Sequence, residues 1–281
     1  TTEIYTLSLH DALPISAGLN LLLYNTVASF LHPDQPVYGL QAKGLNGTDE
    51  PLYSLEEMAE YYINEITTVE KEGPYLLAGF CMGGQIAFEM AIQLKKMGKK
   101  VAFVGLFETI ISFLTINTMK EPAKSLKLLR IEGIRLAWTL IAALRQPPER
   151  RKQYFLNKWK VLRRLLKLEP KSATHTMEGK NGPSTLPAYT RKVRDANEKA
   201  IRSYIPAPCD IKVHLFKATI QEFYILEKET YGWKDFALKG VEIIELPSEH
   251  SLMFAPPNDK QFAVKLQESM DTSLKEAQNE N

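Results

Sequence analysis

The chain has 281 residues, 44% of them hydrophobic and 24% charged, with a formal net charge of +2. This composition is that of an ordinary globular protein able to bury a large core, and the near-neutral charge argues against nucleic acid or a membrane surface as a partner of the whole chain. Two cysteines, Cys81 and Cys209, make no disulfide framework and favour a reducing, cytoplasmic setting. There is no apolar run of about 18 residues to span a membrane and no secretory signal. The first residue is not Met, so a domain of a longer protein or a partial open reading frame is expected.

Residues 1–16, TTEIYTLSLHDALPIS, fit the rest poorly. A first buried strand belongs here, and Ile4 to Leu9 supplies a weak one. The string YTLSLHDALPIS resembles translated sequencing-adapter read-through, which would make 1–16 non-native and would discount His10-Asp11 as a site. A clean, adapter-free read of the source DNA encoding these residues would sink that idea. The domain proper is expected over 17–281. Asn20 to Leu31 has apolar residues at helical spacing, and His32 to Pro36 reads as a loop before a short strand, Val37 to Ala42. Gly44 to Pro51 is polar and turn-rich. Ser54 with Glu57 forms a capping box opening a helix that runs to about Glu70, with Met58, Tyr61, Tyr62 and Ile66 on one face. Gly73-Pro74 stops the chain before a strand at 75–80. A helix over 84–97 and a strand over 99–107 follow, and strands alternating with helices imply a largely parallel sheet.

From about Ser112 to Tyr204 the alternation gives way to helical patterns over 124–145, 149–168 and 188–204, with Pro147-Pro148 and a Gly/Ser/Thr/Pro-rich stretch at 172–186 between them. This reads as a helical lid inserted over the carboxyl edge of the sheet. It is basic: residues 120–171 hold 15 Lys/Arg against four Glu. Two readings stand, a solvated helix face or a docking surface for an acidic partner; a membrane surface for the amphipathic segment 150–167 is a further alternative. Strands at 212–216 and 241–245, a loop over 247–253 and a closing helix at about 259–270 complete the chain.

The stretch Tyr75 to Met90 carries the chemistry. An apolar run ends in Gly79-x-Cys81-x-Gly83-Gly84 and a helical pattern follows at once, which is the nucleophile-elbow pattern with cysteine in place of serine. Glycines two residues either side let strand and helix crowd together. The thiol sits at a helix N-terminus, which favours thiolate, and the Met82 N–H points where an oxyanion would form. A thiol nucleophile needs a base and an orienting acid. His250, in a loop just before the last helix, is the base in the expected chain order. Glu108, at the carboxyl end of the strand 99–107, is the candidate acid, with Glu222 after the following strand as its rival. His214 reads as a sheet residue, and His32 and His175 fit less well. A second oxyanion donor is expected near Ala17-Gly18. The chemistry these residues suit is acyl transfer through an acyl-thioenzyme, with no metal.

His32 to Gln41, Ser54 to Ala59, Gly73 to Met90 and Glu249 to Met253 together resemble the thioesterase domains of nonribosomal peptide synthetases and polyketide synthases and their stand-alone editing relatives. The resemblance covers about 17–270 apart from the lid. It implies an α/β-hydrolase fold, with a mostly parallel sheet flanked by helices and a helical lid insertion. It further implies an acyl or peptidyl chain delivered on the phosphopantetheine of an acidic carrier protein, no cofactor of the domain's own, and release by hydrolysis or cyclisation. By the resemblance Cys81 takes the nucleophile position, Glu108 the acid position, where aspartate is usual, and His250 the base position. An acidic carrier gives the basic lid, Arg150 to Lys167, a docking role. Two departures stand out: glutamate for aspartate, and the absence upstream of Ala17 of the strand and His-Gly-rich loop that form the oxyanion hole. Other readings are an editing thioesterase, a carrier-binding module with little catalysis, and a general carboxylesterase.

Overall fold

The computed structural model describes residues 5–6, 13–16, 24–111, 133, 187–221 and 225–279. In chain order these form β1 (Tyr5–Thr6), β2 (Leu13–Ser16), α1 (Asn25–Ser29), β3 (Tyr38–Gly39), α2 (Leu55–Val69), β4 (Tyr75–Phe80), α3 (Met82–Lys96), β5 (Val101–Phe107), α4 (Ala188–Ser203), β6 (Val213–Ile220), β7 (Val241–Glu249) and α5 (Asn258–Asn279). Single 3-10 turns lie at Trp233–Asp235 and His250–Leu252.

The main sheet has the order β2-β4-β5-β6-β7, and every neighbouring pair is parallel. Leu13 to Ser16 pair with Leu77 to Phe80. The strand beside the elbow strand is therefore 13–16 and not the expected 4–9; Tyr5–Thr6 instead pairs antiparallel with Tyr38–Gly39.

Alternation along the strands sends side chains into two cores. Leu77, Val104, Leu106, Val213 and Leu215 meet α2 and α3 on one face. Ala78, Phe103, Phe107, Phe216 and Ala218 meet α1 and α5 on the other. Both faces of the central strands are covered, as a parallel sheet requires. The second core is aromatic: Phe107, Phe216, Phe254 and Phe262 pack with ring centroids 4.9–6.0 Å apart.

Helix α2 begins at the expected N-cap, and the Glu57 carboxylate reaches one residue further back than a capping box has it. The Ser54 hydroxyl accepts from the Glu57 N–H at 3.2 Å, while the Glu57 carboxylate reaches back to the Tyr53 N–H at 3.4 Å. Strand β7 runs through Pro247 to Glu249, further than the loop expected from 247. It is the sheet's edge strand, where a proline need not interrupt a ladder.

The chain divides into two compact units, residues 1–115 with 187–281, and residues 116–186. Helix α4, read from sequence as the lid's third helix, belongs to the first unit. It buries Val193, Ala196 and Ala200, and Ala200 and Tyr204 join the core of α2 and α3. The other expected lid helices, and the basic segment Arg150 to Lys167, lie outside the described residues. Among the described residues no helix is long and apolar enough to cross a membrane.

Candidate active site

The site assembles at the carboxyl ends of neighbouring parallel strands, the edge where ligands bind in open α/β sheets. Cys81 follows β4, Glu108 follows β5, and His250 follows β7.

Cys81 caps α3 with φ 54° and ψ −115°, a region that non-glycine residues occupy only when the surroundings enforce it. The enforcement is visible in the glycines. A Cβ on Gly79 would lie 2.1 Å from the Gly83 carbonyl carbon, and one on Gly84 would lie 2.0 Å from Thr109 Oγ1. Strand and helix therefore meet closer than any side chain allows, and the backbone turns sharply at Cys81. The Cys81 N–H is tied to the Phe107 carbonyl at 2.9 Å. Cys81 keeps exposed surface as a residue. Desolvation raises the thiol pKa, the neighbouring Met82 N–H lowers it, and the Glu108 charge raises it further. The net shift is upward. Burial thus acts against the thiolate that the helix terminus would favour, and the Met82 N–H acts for it.

Glu108 and His250 meet as the sequence pattern requires. Glu108 Oε2 lies 3.1 Å from His250 Nδ1. The glutamate side chain is 2% exposed and the imidazole 22%. The other carboxylate oxygen, Oε1, accepts from the Ala218 N–H at 2.6 Å and from the Tyr231 hydroxyl at 3.1 Å. The His250 ring stacks on Phe80, the residue before Cys81, with centroids 4.6 Å apart. Phe80 in turn packs edge-on to Phe254 at 5.2 Å.

Glu222, the rival acid, lies outside the described residues, as do Ala17 and Gly18, the expected second oxyanion donor. Met82 heads α3 and is buried. His214 is a buried sheet residue whose Nε2 lies 3.0 Å from Ser273 Oγ. Among the described residues no group of three or more His, Cys, Asp or Glu could hold a metal. The hold of Ala218 and Tyr231 on Glu108 was invisible in sequence. The backbone donor is side-chain independent, and Tyr231 lies 123 positions from the glutamate it touches.

A cysteine at positive φ after β4 and an imidazole–carboxylate pair after β7 and β5, on a doubly covered parallel sheet, are arranged as in the α/β-hydrolase fold. The thioesterase domain family model matches residues 12–179, more than half of the chain, and the chain belongs to that family. Malpibaldin synthetase of Mortierella alpina is 35% identical over 125 residues, 42% of this chain and 2% of that protein. Nonribosomal peptide synthetase btyA of Aspergillus terreus is 30% identical over 207 residues, 71% of this chain and 21% of that one. The chain thus spans a small part of the length of these relatives.

Two solved structures share the fold. A four-domain nonribosomal peptide synthetase bound to AMP and glycine superimposes with a TM-score of 0.63 at 22% identity, covering 95% of this chain and 20% of that one. The NocB thioesterase domain, in covalent complex with a fluorophosphonate nocardicin G analogue, gives 0.60 at 19% identity, covering 95% of this chain and 99% of that one.

Proposed function

We propose that this thioesterase domain takes an acyl or peptidyl chain from the phosphopantetheine of a carrier protein onto Cys81 and releases it by hydrolysis or cyclisation. The observation that carries the reading is the Glu108–His250 contact of 3.1 Å at the strand ends, with the His250 ring against Phe80, the residue before a cysteine held at φ 54°. Glu108 holds the imidazole by its Nδ1–H, so that Nε2 is the nitrogen that serves as base. As the Cys81 sulfur attacks the thioester carbonyl, Nε2 takes the thiol proton. The Met82 N–H stabilises the oxyanion. Collapse expels the pantetheine thiolate, which takes that proton from the imidazolium. Exchange of one thioester for another is nearly thermoneutral, so the acyl group on Cys81 stays activated. Water, or a hydroxyl or amine of the acyl chain itself, then attacks it with His250 as base, and the Cys81 thiol is restored. A raised thiol pKa suits this scheme, because the resting sulfur is protonated and needs the base.

The relatives that bear synthetase names support a carrier as the source of substrate. The surplus of Lys/Arg in 120–171 supports an acidic carrier as the partner, docked through Arg150 to Lys167. The test is incubation with an acyl-pantetheine thioester followed by intact-protein mass spectrometry. A mass increase equal to the acyl group, mapped to Cys81 and lost in Cys81→Ala, is the expected result. A folded protein that neither gains the adduct nor hydrolyses the thioester would overturn the proposal and leave a carrier-binding module.

A further inference from the structure

Among the described residues three non-glycine residues have positive φ: Cys81 at 54°, Glu108 at 46° and Tyr231 at 56°. The first two are the proposed nucleophile and acid. Strain of this kind persists where the surroundings over-determine it, and it clusters at functional sites. The third lies far off in sequence, yet its hydroxyl reaches Glu108.

The loop that carries Tyr231 is built to hold it there. The Glu227 carboxylate accepts from the N–H groups of Glu229, Thr230 and Gly232 at 2.6–3.2 Å and from the Thr230 hydroxyl at 2.6 Å. This organises the turn immediately before and after Tyr231. The Tyr231 carbonyl accepts from the Ile111 N–H at 2.9 Å. Trp233, two residues on, donates its indole N–H to the Thr109 carbonyl at 2.7 Å. Residues 227–233 thus grip the backbone either side of residue 110 and the side chain of Glu108. The phenol ring is fully buried, with the Lys217 ammonium 5.1 Å from its centroid. Its oxygen accepts from Gln221 Nε2 at 3.1 Å and donates to Glu108 Oε1 at 3.1 Å. Burial first, then the Glu108 charge, raises the phenol pKa, so the phenol remains a donor.

We infer that Tyr231 is a positioning residue for Glu108: with the Ala218 N–H it clamps Oε1, so that Oε2 alone faces His250 Nδ1. The chain Gln221–Tyr231–Glu108–His250 then fixes both the carboxylate plane and the imidazole tautomer. A glutamate needs this more than an aspartate would, because its extra torsion must be held against free rotation. This inference rests on the reading of Cys81, His250 and Glu108 as one catalytic set.

The test is Tyr231→Phe, which removes one buried oxygen and keeps the ring. In single-turnover acylation from an acyl-pantetheine thioester, the rate constant falls about 10-fold or more, the scale of one hydrogen bond to a charged group, while KM changes less than about twofold. The discriminating readout is a double-mutant cycle. In a Glu108→Ala background the same substitution costs nothing further, whereas a merely structural tyrosine would cost the same factor in both backgrounds. A second readout needs no assumed substrate. The pH profile of Cys81 alkylation by iodoacetamide is expected to move in Tyr231→Phe toward that of Glu108→Ala. A wild-type protein that forms no acyl-enzyme defeats the thioesterase reading, and the alkylation cycle still decides the clamp. Wild-type-like acylation and alkylation in Tyr231→Phe, or equal losses in the two backgrounds, would overturn the inference. Should Tyr231→Phe not fold, Gln221→Leu, which withdraws the donor to the phenol oxygen, enters the same cycle with the same criterion.

Discussion

Replacing Glu108 by glutamine separates the charge of the acid from its shape. The amide has one acceptor and one donor end, and the surroundings choose between them. Oε1 of Glu108 sits 2.6 Å from the Ala218 N–H, a donor fixed by the backbone of β6. An NH2 group placed there would set donor against donor in a buried site, at a cost of about 2–3 kcal/mol. The glutamine oxygen therefore takes that place and still accepts from Tyr231. The NH2 group is left facing His250 Nδ1 and donates to it. This fixes the imidazole with its proton on Nε2, where it cannot accept from a thiol. A penalty of about 2–3 kcal/mol leaves roughly one molecule in 30 to 150 with the productive orientation. Turnover of an acyl-pantetheine thioester in Glu108→Gln is therefore expected to fall at least about 30-fold with the unfolding midpoint nearly unchanged. Activity within about threefold of wild type, in a folded protein, would refute both the acid assignment and the tautomer reasoning.

Three further outcomes follow from the same structure. Cys81→Ser is expected to hydrolyse the thioester at least about 100-fold faster than Cys81→Ala, because a base that deprotonates a neutral thiol also serves a hydroxyl; a serine variant no better than alanine would point to a resting thiolate–imidazolium pair. Gly84→Ala drives a Cβ to 2.0 Å from Thr109 Oγ1, and since Thr109 is buried beside Glu108 the clash is expected to lower the unfolding midpoint by about 3–10 °C in calorimetry. His214 has its pKa lowered to about 4 from 6.5 by burial first, with Lys212 adding to the lowering and Glu242 and Glu276 opposing it. The unfolded chain therefore takes up this proton near pH 6.5 and the folded one only near pH 4, so stability is lost as pH falls through that window. Between about pH 7 and pH 5 the loss from this group is on the order of 2 kcal/mol, and His214→Phe is expected to remove that component in denaturant titrations; an unchanged slope would show that His214 does not carry it.

The elements that position the site were legible because each had a local signal. Gly73-Pro74 and the apolar run gave β4 at 75–80, and the capping box gave α2 from Leu55. The elbow spacing gave the turn at Cys81, where Gly79 and Gly83 meet too closely for a Cβ on Gly79. His250 was legible from its place before the last helix, and Glu108 from the end of β5. What escaped has no local signal. That the Cys81 thiol is shifted upward, with the Glu108 charge adding to the effect of burial, depends on what the fold brings around it. Helix α4 read like its neighbours in the basic block, because helical periodicity does not say which core a face meets. The strand at 13–16 is named by its pairing with β4, not by its own sequence. The hold of Tyr231 on Glu108 arises only once β5 and the 227–233 loop are side by side.

The backbone ties at the site explain how three unfavourable conformations coexist. A non-glycine residue at positive φ costs on the order of 1–3 kcal/mol, a large share of the net stability of an ordinary domain. Each of the three is secured by a hydrogen bond of its own backbone to the next segment. The Cys81 N–H is bound to the Phe107 carbonyl, the Glu108 N–H to the Phe216 carbonyl, and the Tyr231 carbonyl to the Ile111 N–H. The end of β4 is thereby fastened to the end of β5, and that to the middle of β6, and the loop bearing Tyr231 is fastened to the segment that follows Glu108. The strands behind these ends are anchored on both faces by buried side chains, so the strain cannot relax by local slippage. A core substitution two strands away from β4, at Leu215 for instance, therefore acts on chemistry through the register of these ties as well as through stability. The two effects differ in kind. Lost packing lowers the folded fraction, whereas a shifted tie changes the rate of the molecules that remain folded.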